Sequence, residues 1–434
     1  MRAEQELQTS LIAEVRDALA AEASRRSASG ETSLAEDGQR ALAVQVLRSA
    51  FRRMHEEAIA TRADGLSPTD GADVERSGLA VTVGRGPFDV LLADQSVEDI
   101  VATRHDLLFT YHSDGSCRRV HDRYWTTDHE LMGFLAHVAR TAGRTERAFN
   151  AQQPLLTMRI GDGLRLAAQA HVAQHTTYCL RRNTLGDVSL AQLAERGMFP
   201  PLLGELLAAL ARAPEMRVAI GGATGAGKTT LARAMLNGLP PEHRLVIIED
   251  TAEMDLFDPV AHPNVESWER REPNSEGEGE IGLGELVRHG LRNRPDLLIV
   301  GEVRGSDAAI PMLEAMTHGQ ASLTTVHADD AAGALAKLAL FLGKGDGAMA
   351  PAAAHNNLSM AVDFVVHVDR GTAGGRFVSE VIEVAGFDGT QVLTNTLYDA
   401  DDGDGRFTMR LTEAHVRKLG RAGFDPARLG GVRV

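Results

Sequence analysis

The chain has 434 residues, 43% of them hydrophobic and 24% charged, with 45 basic against 60 acidic side chains and a formal net charge of −15. This is the composition of a globular protein long enough for two or three domains, and its acidic balance argues against a dedicated nucleic-acid binder. Cys117 and Cys179 supply neither a metal cage nor a disulfide framework, no apolar run reaches the roughly 18 residues of a membrane span, and charges at Arg2, Glu4, Glu6, Glu14 and Asp17 exclude a secretory leader, so a cytoplasmic location is expected.

In chain order, Leu7, Leu11, Val15 and Leu19 recur at a spacing of four and predict a helix over residues 4–26. Ser33-Leu34-Ala35-Glu36 has the form of a capping box and opens a second helix carrying Leu42, Val46, Leu47, Phe51, Met54 and Ile59. Helices packing on themselves or on a neighbour account for this pattern better than a membrane-surface helix. The Gly- and Pro-containing run 64–71 reads as a linker, so residues 1–70 form a helical N-terminal extension and its linker.

Residues 71–185 mix strand and helix signals, as expected of a smaller α/β N-terminal domain. Strands are predicted at 99–102 and 107–111, with a turn at 113–116. A helix over 127–142 places Leu131, Leu135, Val138 and Ala142 on one face, and a hairpin pairs 155–160 with 164–168 about a turn at 161–163. Arg159 and Arg165 flank that turn. On an antiparallel hairpin they can share a side, which suits gripping an anion; the bland alternative is a solvated face.

Helices are predicted over 186–215, and a nucleotide core from about 216. Met216-Arg217-Val218-Ala219-Ile220 reads as a short buried strand, and the helix from Thr230 ends near Gly238. Between them Gly222-Ala223-Thr224-Gly225-Ala226-Gly227-Lys228-Thr229 fits G-x-x-x-x-G-K-[ST] in the strand–turn–helix setting that gives the motif its meaning. The glycines turn successive backbone N–H groups toward a phosphate, and the helix N-terminus adds partial positive charge. Gly222, Ala223, Thr224, Gly225, Ala226, Gly227, Lys228, Thr229 and Thr230 are therefore the expected ATP cradle, with Lys228 on the β- and γ-phosphates and the Thr229 hydroxyl on Mg²⁺.

Two further apolar strands end in acids: 244–248 leads to Glu249, Asp250 and Glu253, and 296–300 leads to Gly301, Glu302 and Arg304. A fourth, 321–326, ends at His327. Runs apolar throughout predict a parallel sheet covered on both faces, with ligand beyond its carboxyl edge. Hydrolysis needs a carboxylate to orient water. Glu302 is the first choice, also touching the metal through water, with Glu253 and Glu249 as alternatives and His327 as a sensor of the γ-phosphate. The stretch 262–280 reads as an irregular acidic loop, followed by a helix bearing Arg288 and Arg292. Helices near 331–342 and 352–360, a strand at 364–368 and hairpins to about 412 complete a core assigned to 186–400, with 401–434 as a C-terminal hairpin and polar, Gly-rich tail.

Several motifs in order resemble the type II/IV secretion ATPase superfamily, specifically its CpaF/TadA-like pilus-assembly branch. They are the phosphate loop, Ile248-Glu249-Asp250-Thr251-Ala252-Glu253, the run from Arg271 to Glu280, the run from Arg294 to Gly305, and Thr324-Thr325-Val326-His327-Ala328. Leu91–Ile100 and the arginine hairpin are similar to elements of the family's N-terminal domain. The resemblance implies a RecA-like P-loop core, a homo-oligomeric ring, usually a hexamer, and ATP with Mg²⁺ held between the two domains. It implies Arg159, Arg165 and possible roles for Arg181 or Arg182 as phosphate-charge stabilisers. It also implies partners among inner-membrane platform proteins of a pilus or secretion system, with the chain at the inner face of the membrane through them and nucleic acid not expected. One departure is the run Thr317-His318-Gly319-Gln320-Ala321, one residue short of the family's N-T-G-H-x-G pattern with His and Gly exchanged; efficient hydrolysis is expected to hinge on it. A RecA-like DNA motor of conjugation and a nucleotide-ordered scaffold with weak hydrolysis are the competing readings.

Overall fold

The structure, a computed structural model, describes residues 87–142, 147–161, 163–182, 188–273, 277–344, 348–371, 375–400, 405–408 and 411–430, together with scattered positions between 18 and 53. Those scattered positions, Leu42 and Val46 of the predicted stripe among them for their backbone, are helical. The capping box at Ser33 and the linker 64–71 lie outside the described residues. The chain divides into two compact units, residues 1–182 and 183–434.

In the first unit the alternation of the sequence becomes a six-stranded antiparallel sheet. Its strands are β1 (Val97–Arg104), β2 (Leu107–His112), β3 (Cys117–Val120), β4 (Leu155–Arg159), β5 (Leu164–Gln169) and β6 (Thr177–Arg182), in the order β3-β2-β1-β6-β5-β4. Period-two burial along β5 sends Leu164, Leu166 and Ala168 inward and the intervening side chains outward. The inward face meets the apolar stripe of helix α2 (Asp128–Thr141), where Leu131 and Leu135 are fully buried with Ile100, Met158, Leu166 and Tyr178. Thr127 caps that helix by accepting from Glu130 N, one of its orphan donors, and the Glu130 carboxylate reaches back to accept from Thr126 N just ahead of the cap. Helix α1 (Pro87–Leu91) adds Phe88, packed edge-on against Phe134 at 5.1 Å.

The outward face carries a row of charge. Arg159 stands opposite Arg165, Arg165 opposite Arg181, and Arg181 opposite Asp99. The two arginines expected to share a side of the hairpin do so, and Arg181 extends them into three abreast.

The second unit holds a nine-stranded sheet in the order β15-β14-β13-β12-β7-β11-β10-β8-β9. Strands β7 (Arg217–Gly222), β8 (Leu245–Glu249), β10 (Leu297–Val303), β11 (Ser322–Val326) and β12 (Phe364–Arg370) are parallel and almost wholly buried. Helices cover both faces, as the uninterrupted apolar runs require. One face carries α4 (Pro201–Arg212) and α5 (Lys228–Leu236). The other carries α6 (Leu283–Gly290), α7 (Ser306–Thr317), α8 (Ala331–Leu342) and α9 (Pro351–Ala361), α3 (Leu190–Glu195) being the short helix before α4.

Two expectations are corrected here. The stretch read as irregular begins with a strand, β9 (Val265–Glu269), paired in parallel with β8. All of its residues are half-buried, so it shows neither an apolar run nor alternation. The supposed polar tail contains helix α10 (Glu413–Arg421), which the strand pair β13 (Arg376–Phe387) and β14 (Val392–Asp399), with β15 (Arg406–Phe407), leads into. His415 from α10 is buried between Asp363 Oδ1 at 2.9 Å and Glu383 Oε1 at 2.5 Å, and Arg217 and Lys418 also reach Asp363.

Candidate nucleotide site

The phosphate loop leaves β7 at the carboxyl edge of the sheet, where Gly221 is level with Val326 of β11 and Gly222 with Val368 of β12. Glycine is a geometric need at Gly222: its φ is 152°, and a Cβ there would stand 2.4 Å from Val368 O. Gly227, with φ 104°, turns the chain directly into α5. Lys228 is buried, and its Nζ donates to Gly222 O at 2.9 Å and Ala223 O at 3.0 Å, folding the side chain over the loop that it serves. Burial lowers its pKa, and Arg304 and Lys337 push the same way against Glu302.

Glu302 sits where the ladder between β10 and β11 slips: Val300 pairs Thr324, but Val303 pairs Val326. The extra residue is a β-bulge, a device that re-aims side chains at the rims of sheets. Arg304 Nε donates to Glu302 Oε2 at 2.8 Å. Glu302 Oε1 is 2.6 Å from His327 Nε2, yet it is buried without a properly angled hydrogen bond. The other ring nitrogen of His327, Nδ1, is 3.3 Å from Lys228 Nζ. Burial, then the neighbouring Lys228, lowers the His327 pKa below 6.5 and keeps the imidazole neutral at pH 7. Glu302, His327 and Lys228 thus form one contiguous set, with Thr229 at the start of α5 beside Lys228.

Glu249 is placed differently. Its carboxylate is 4% exposed and accepts from Glu253 N at 3.1 Å and Met254 N at 3.2 Å, so it fixes the turn that presents Glu253. Gly301 has to be small for this: a Cβ there would come within 2.7 Å of Glu249 Cγ. Asp250 lies between Arg304 and Arg270, 3.5 Å from each. Arg159 and Arg165 are on the first unit, in the outward row described above.

The donors fit Mg²⁺. That ion keeps several waters and takes few protein ligands alongside phosphate oxygens. Among the described residues no group of three His, Cys, Asp or Glu side chains could cage a metal, whereas the Thr229 hydroxyl and the under-bonded Glu302 Oε1 border the loop.

The run 317–321 is where expectation and structure part. It caps α7 and precedes β11, at the amino edge of the sheet, with His318 Nδ1 2.7 Å from Glu314 O and Gln320 bonded to Pro295 O. The phosphate loop lies at the opposite edge, about 16 Å along a five-residue strand. The exchanged His and Gly therefore lie a strand's length from the phosphate loop of their own subunit, not beside it.

Three residues of this edge carried no functional expectation. His367, 3% exposed, approaches Ala328 O at 3.3 Å and Ser379 Oγ at 2.7 Å, bracing the turn after His327. Arg370 and Arg376 face each other across β12 and β13 beside the loop glycines. A histidine inside an apolar strand was the available signal for the first; nothing short of the strand register points to the arginines.

A phosphate loop at the carboxyl edge of a parallel sheet, flanked by a bulged acidic strand and a histidine-tipped strand, defines a P-loop nucleotide hydrolase with a RecA-like core. The family profile described as Type II/IV secretion system protein matches residues 83–370, and the chain belongs to that family as an ATPase. A conjugal transfer protein of Mycobacterium tuberculosis is 33% identical over 328 residues, covering 74% of this chain and 90% of that relative. The type IV secretion system protein VirB11 of Brucella suis is 27% identical over 354 residues, covering 74% and 95%. The X-ray structure of the Legionella pneumophila ATPase DotB shares the fold, with a TM-score of 0.51 and 18% identity over 68% of this chain and 80% of that one. No helix among the described residues is long and apolar enough to cross a membrane.

Proposed function

We propose that this chain is the motor subunit of a homo-oligomeric ring, a hexamer, that couples ATP hydrolysis to assembly of a Tad/Flp-type pilus or a related type II/IV secretion machine. The observation that carries the chemistry is Glu302: a carboxylate set on a bulge, oriented by Arg304, with one buried oxygen left to accept from water. In this reading the Gly222–Thr230 loop binds ATP, Lys228 leaves its loop carbonyls for the β- and γ-phosphates, and Thr229 and Glu302 hold Mg²⁺, Glu302 through water. Mg²⁺ supplies charge neutralisation of the phosphates. Glu302 orients the attacking water, Glu249 positions Glu253 beside it, and neutral His327 reports on the γ-phosphate. Arg159 and Arg165, with Arg181 beside them, are the source of the arginine that offsets charge on the transferring phosphoryl.

A cytoplasmic ring of this kind works at the inner face of the membrane by docking on platform proteins there. The second reading, a DNA-translocating motor, is favoured by the conjugal transfer relatives, against the net charge of −15. Turnover of the purified, assembled protein with and without single- and double-stranded DNA separates them. Stimulation by DNA that falls steeply with salt supports the DNA motor; turnover indifferent to DNA supports the pilus or secretion motor. Lys228→Ala is expected to abolish ATP binding, and retention of binding in that variant would overturn the assignment of the site.

A further inference from the structure

The acidic side of the phosphate loop is crowded with named groups, whereas the other side is formed by the strand pair β12 and β13. Strand β12 runs parallel to β7 with Val368 level with Gly222, so Asp369 and Arg370 continue past the point where the loop begins. Strand β13 returns antiparallel and sets Arg376 directly opposite Arg370. Both side chains reach the loop. A Cβ built on Gly225 would stand 4.0 Å from Arg370 Nη1, and one built on Gly227 would stand 3.2 Å from Arg376 Cδ. The sheet order β12-β7-β11-β10 puts them on the flank away from His327 and Glu302.

Two like charges directly opposite on neighbouring strands repel. Both residues are exposed, and among the described residues neither guanidinium has an ion-pair partner, although the chain has fifteen more acids than bases. The nearest acid in sequence, Asp369, accepts from the Arg370 backbone N–H rather than its guanidinium. The acids at the site do not serve: Glu302 and Asp250 are engaged by Arg304 and Arg270 on the far side. What remains in front of the pair is the mouth of the loop, whose N–H groups already favour an anion.

Resting on the reading of Gly222–Thr230 as the ATP cradle, we propose that Arg370 and Arg376 form a clamp, in the same subunit, on the α-phosphate and ribose side of a bound nucleoside di- or triphosphate. Their role is affinity. A contact to the α-phosphate is made equally in the ground state and in the transition state, so it changes KM and leaves kcat alone. In that reading Lys228 addresses the β- and γ-phosphates, and the clamp the other end of the nucleotide. It therefore holds ADP as firmly as ATP.

The test uses the full-length protein with Arg370→Gln, Arg376→Gln and the double variant, which keep most of each stem against the loop, plus Arg376→Lys and Lys228→Ala. ADP and ATP affinities, kcat and KM, and the unfolding midpoint without nucleotide are measured. The clamp predicts that each Gln variant weakens ADP and ATP alike by about tenfold, the worth of one charge-assisted contact. It predicts kcat within about twofold of wild type, an unchanged nucleotide-free midpoint, and substantial recovery in Arg376→Lys. Wild-type affinity in the double variant, with Lys228→Ala still defective, overturns the clamp and leaves the cradle standing. Wild-type affinity in Lys228→Ala overturns the cradle reading itself. A fall in kcat at constant KM, or loss of ATP affinity with ADP affinity intact, also overturns the clamp by moving the arginines to the γ-phosphate.

Discussion

Glu302 Oε1 and His327 Nε2 stand 2.6 Å apart at the ends of adjacent parallel strands, and Lys228 approaches the far side of the same imidazole. The neutral ring is a spacer between a carboxylate and an ammonium, so displacement of Lys228 by a phosphate is felt at Glu302. Replacing Glu302 with Gln keeps the shape and the Arg304 contact while removing the charge that orients water. Turnover is expected to fall by roughly 10²–10⁴-fold, with ATP affinity retained. Steady-state hydrolysis together with nucleotide binding measures both. Wild-type turnover no higher than that of the variant would leave only a scaffold that nucleotide orders.

Gly301→Ala tests the support beneath this arrangement. The added Cβ would meet Glu249 Cγ at 2.7 Å, in a site where the strand backbone is also fixed by Thr325 Oγ1 donating to Gly301 O. Moving the carboxylate surrenders its bonds to Glu253 N and Met254 N. A loss of about 1–3 kcal/mol in unfolding free energy is expected from the overpacking, with turnover falling more than tenfold because Glu253 shifts with the turn. Denaturant unfolding and hydrolysis rates check the two parts separately, and an unperturbed protein would show that the turn relaxes freely.

The arginine row makes a prediction of a different kind. Arg159, Arg165 and Arg181 stand abreast, but Asp99 binds Arg181 Nε at 2.7 Å and so occupies the end of the row. Arg159 and Arg165, which face each other across the hairpin, are the two proposed to act on phosphate. Loss of the acting arginine is expected to lower kcat by about 10³-fold or more with little change in affinity. Alanine variants of each, assayed alone, identify it. Mixing either variant with Lys228→Ala protein then tells whether it acts across subunits: recovered turnover in mixed rings means that one subunit supplies the arginine and the next the cradle. Wild-type rates in both variants would remove the hairpin from the mechanism.

Much of this was legible in the residues because the physics is local. A glycine-rich turn between an apolar strand and a helix, and strands apolar from end to end, leave few alternatives, so the buried strands β7, β8, β10, β11 and β12 and the helix after the loop could be read directly. The acids at Glu249, Glu253 and Glu302 were equally visible, but their division of labour was not. It depends on a one-residue bulge after Val300, and register is a property of the paired strand rather than of either sequence. The placement of His318 and Gly319 was hidden for the same reason: motif position along the chain does not say which edge of the sheet a residue occupies. Strand β9 escaped because Glu266, Trp268 and Glu269 are all half-buried, and helix α10 because its burial rests on two residues, His415 and Leu419.

Helix α10 is also where pH dependence of stability should concentrate. The His415 ring is tilted against Phe364, with centroids 4.8 Å apart, and faces Asp363 and Glu383, with Arg217 and Lys418 also on Asp363 and Thr412 beside Glu383. Burial alone would lower its pKa, but its hydrogen bonds to Asp363 and Glu383 overcome that and raise it above 6.5. The two carboxyls are shifted the other way. Burial opposes, but Arg217 and His415 hold Asp363 below 3.8, and His415 and Asn395 hold Glu383 below 4.5. A raised imidazole contributes stability that is complete below pH 6.5 and fades as pH climbs through the raised value; the lowered carboxyls contribute stability present above 4.5 and lost on acidification. Between those limits all three groups work together, so the unfolding midpoint of wild type should be highest near pH 5–6 and decline toward pH 8. His415→Ala leaves two buried carboxylates with less compensation and is expected to cost about 3 kcal/mol. It should also flatten the alkaline decline, which thermal unfolding of both proteins across pH 5–8 would reveal. An equal slope in wild type and variant would assign the decline to other groups, while a flattened one would make this buried cluster the anchor that holds the C-terminal helix to the sheet carrying the nucleotide site.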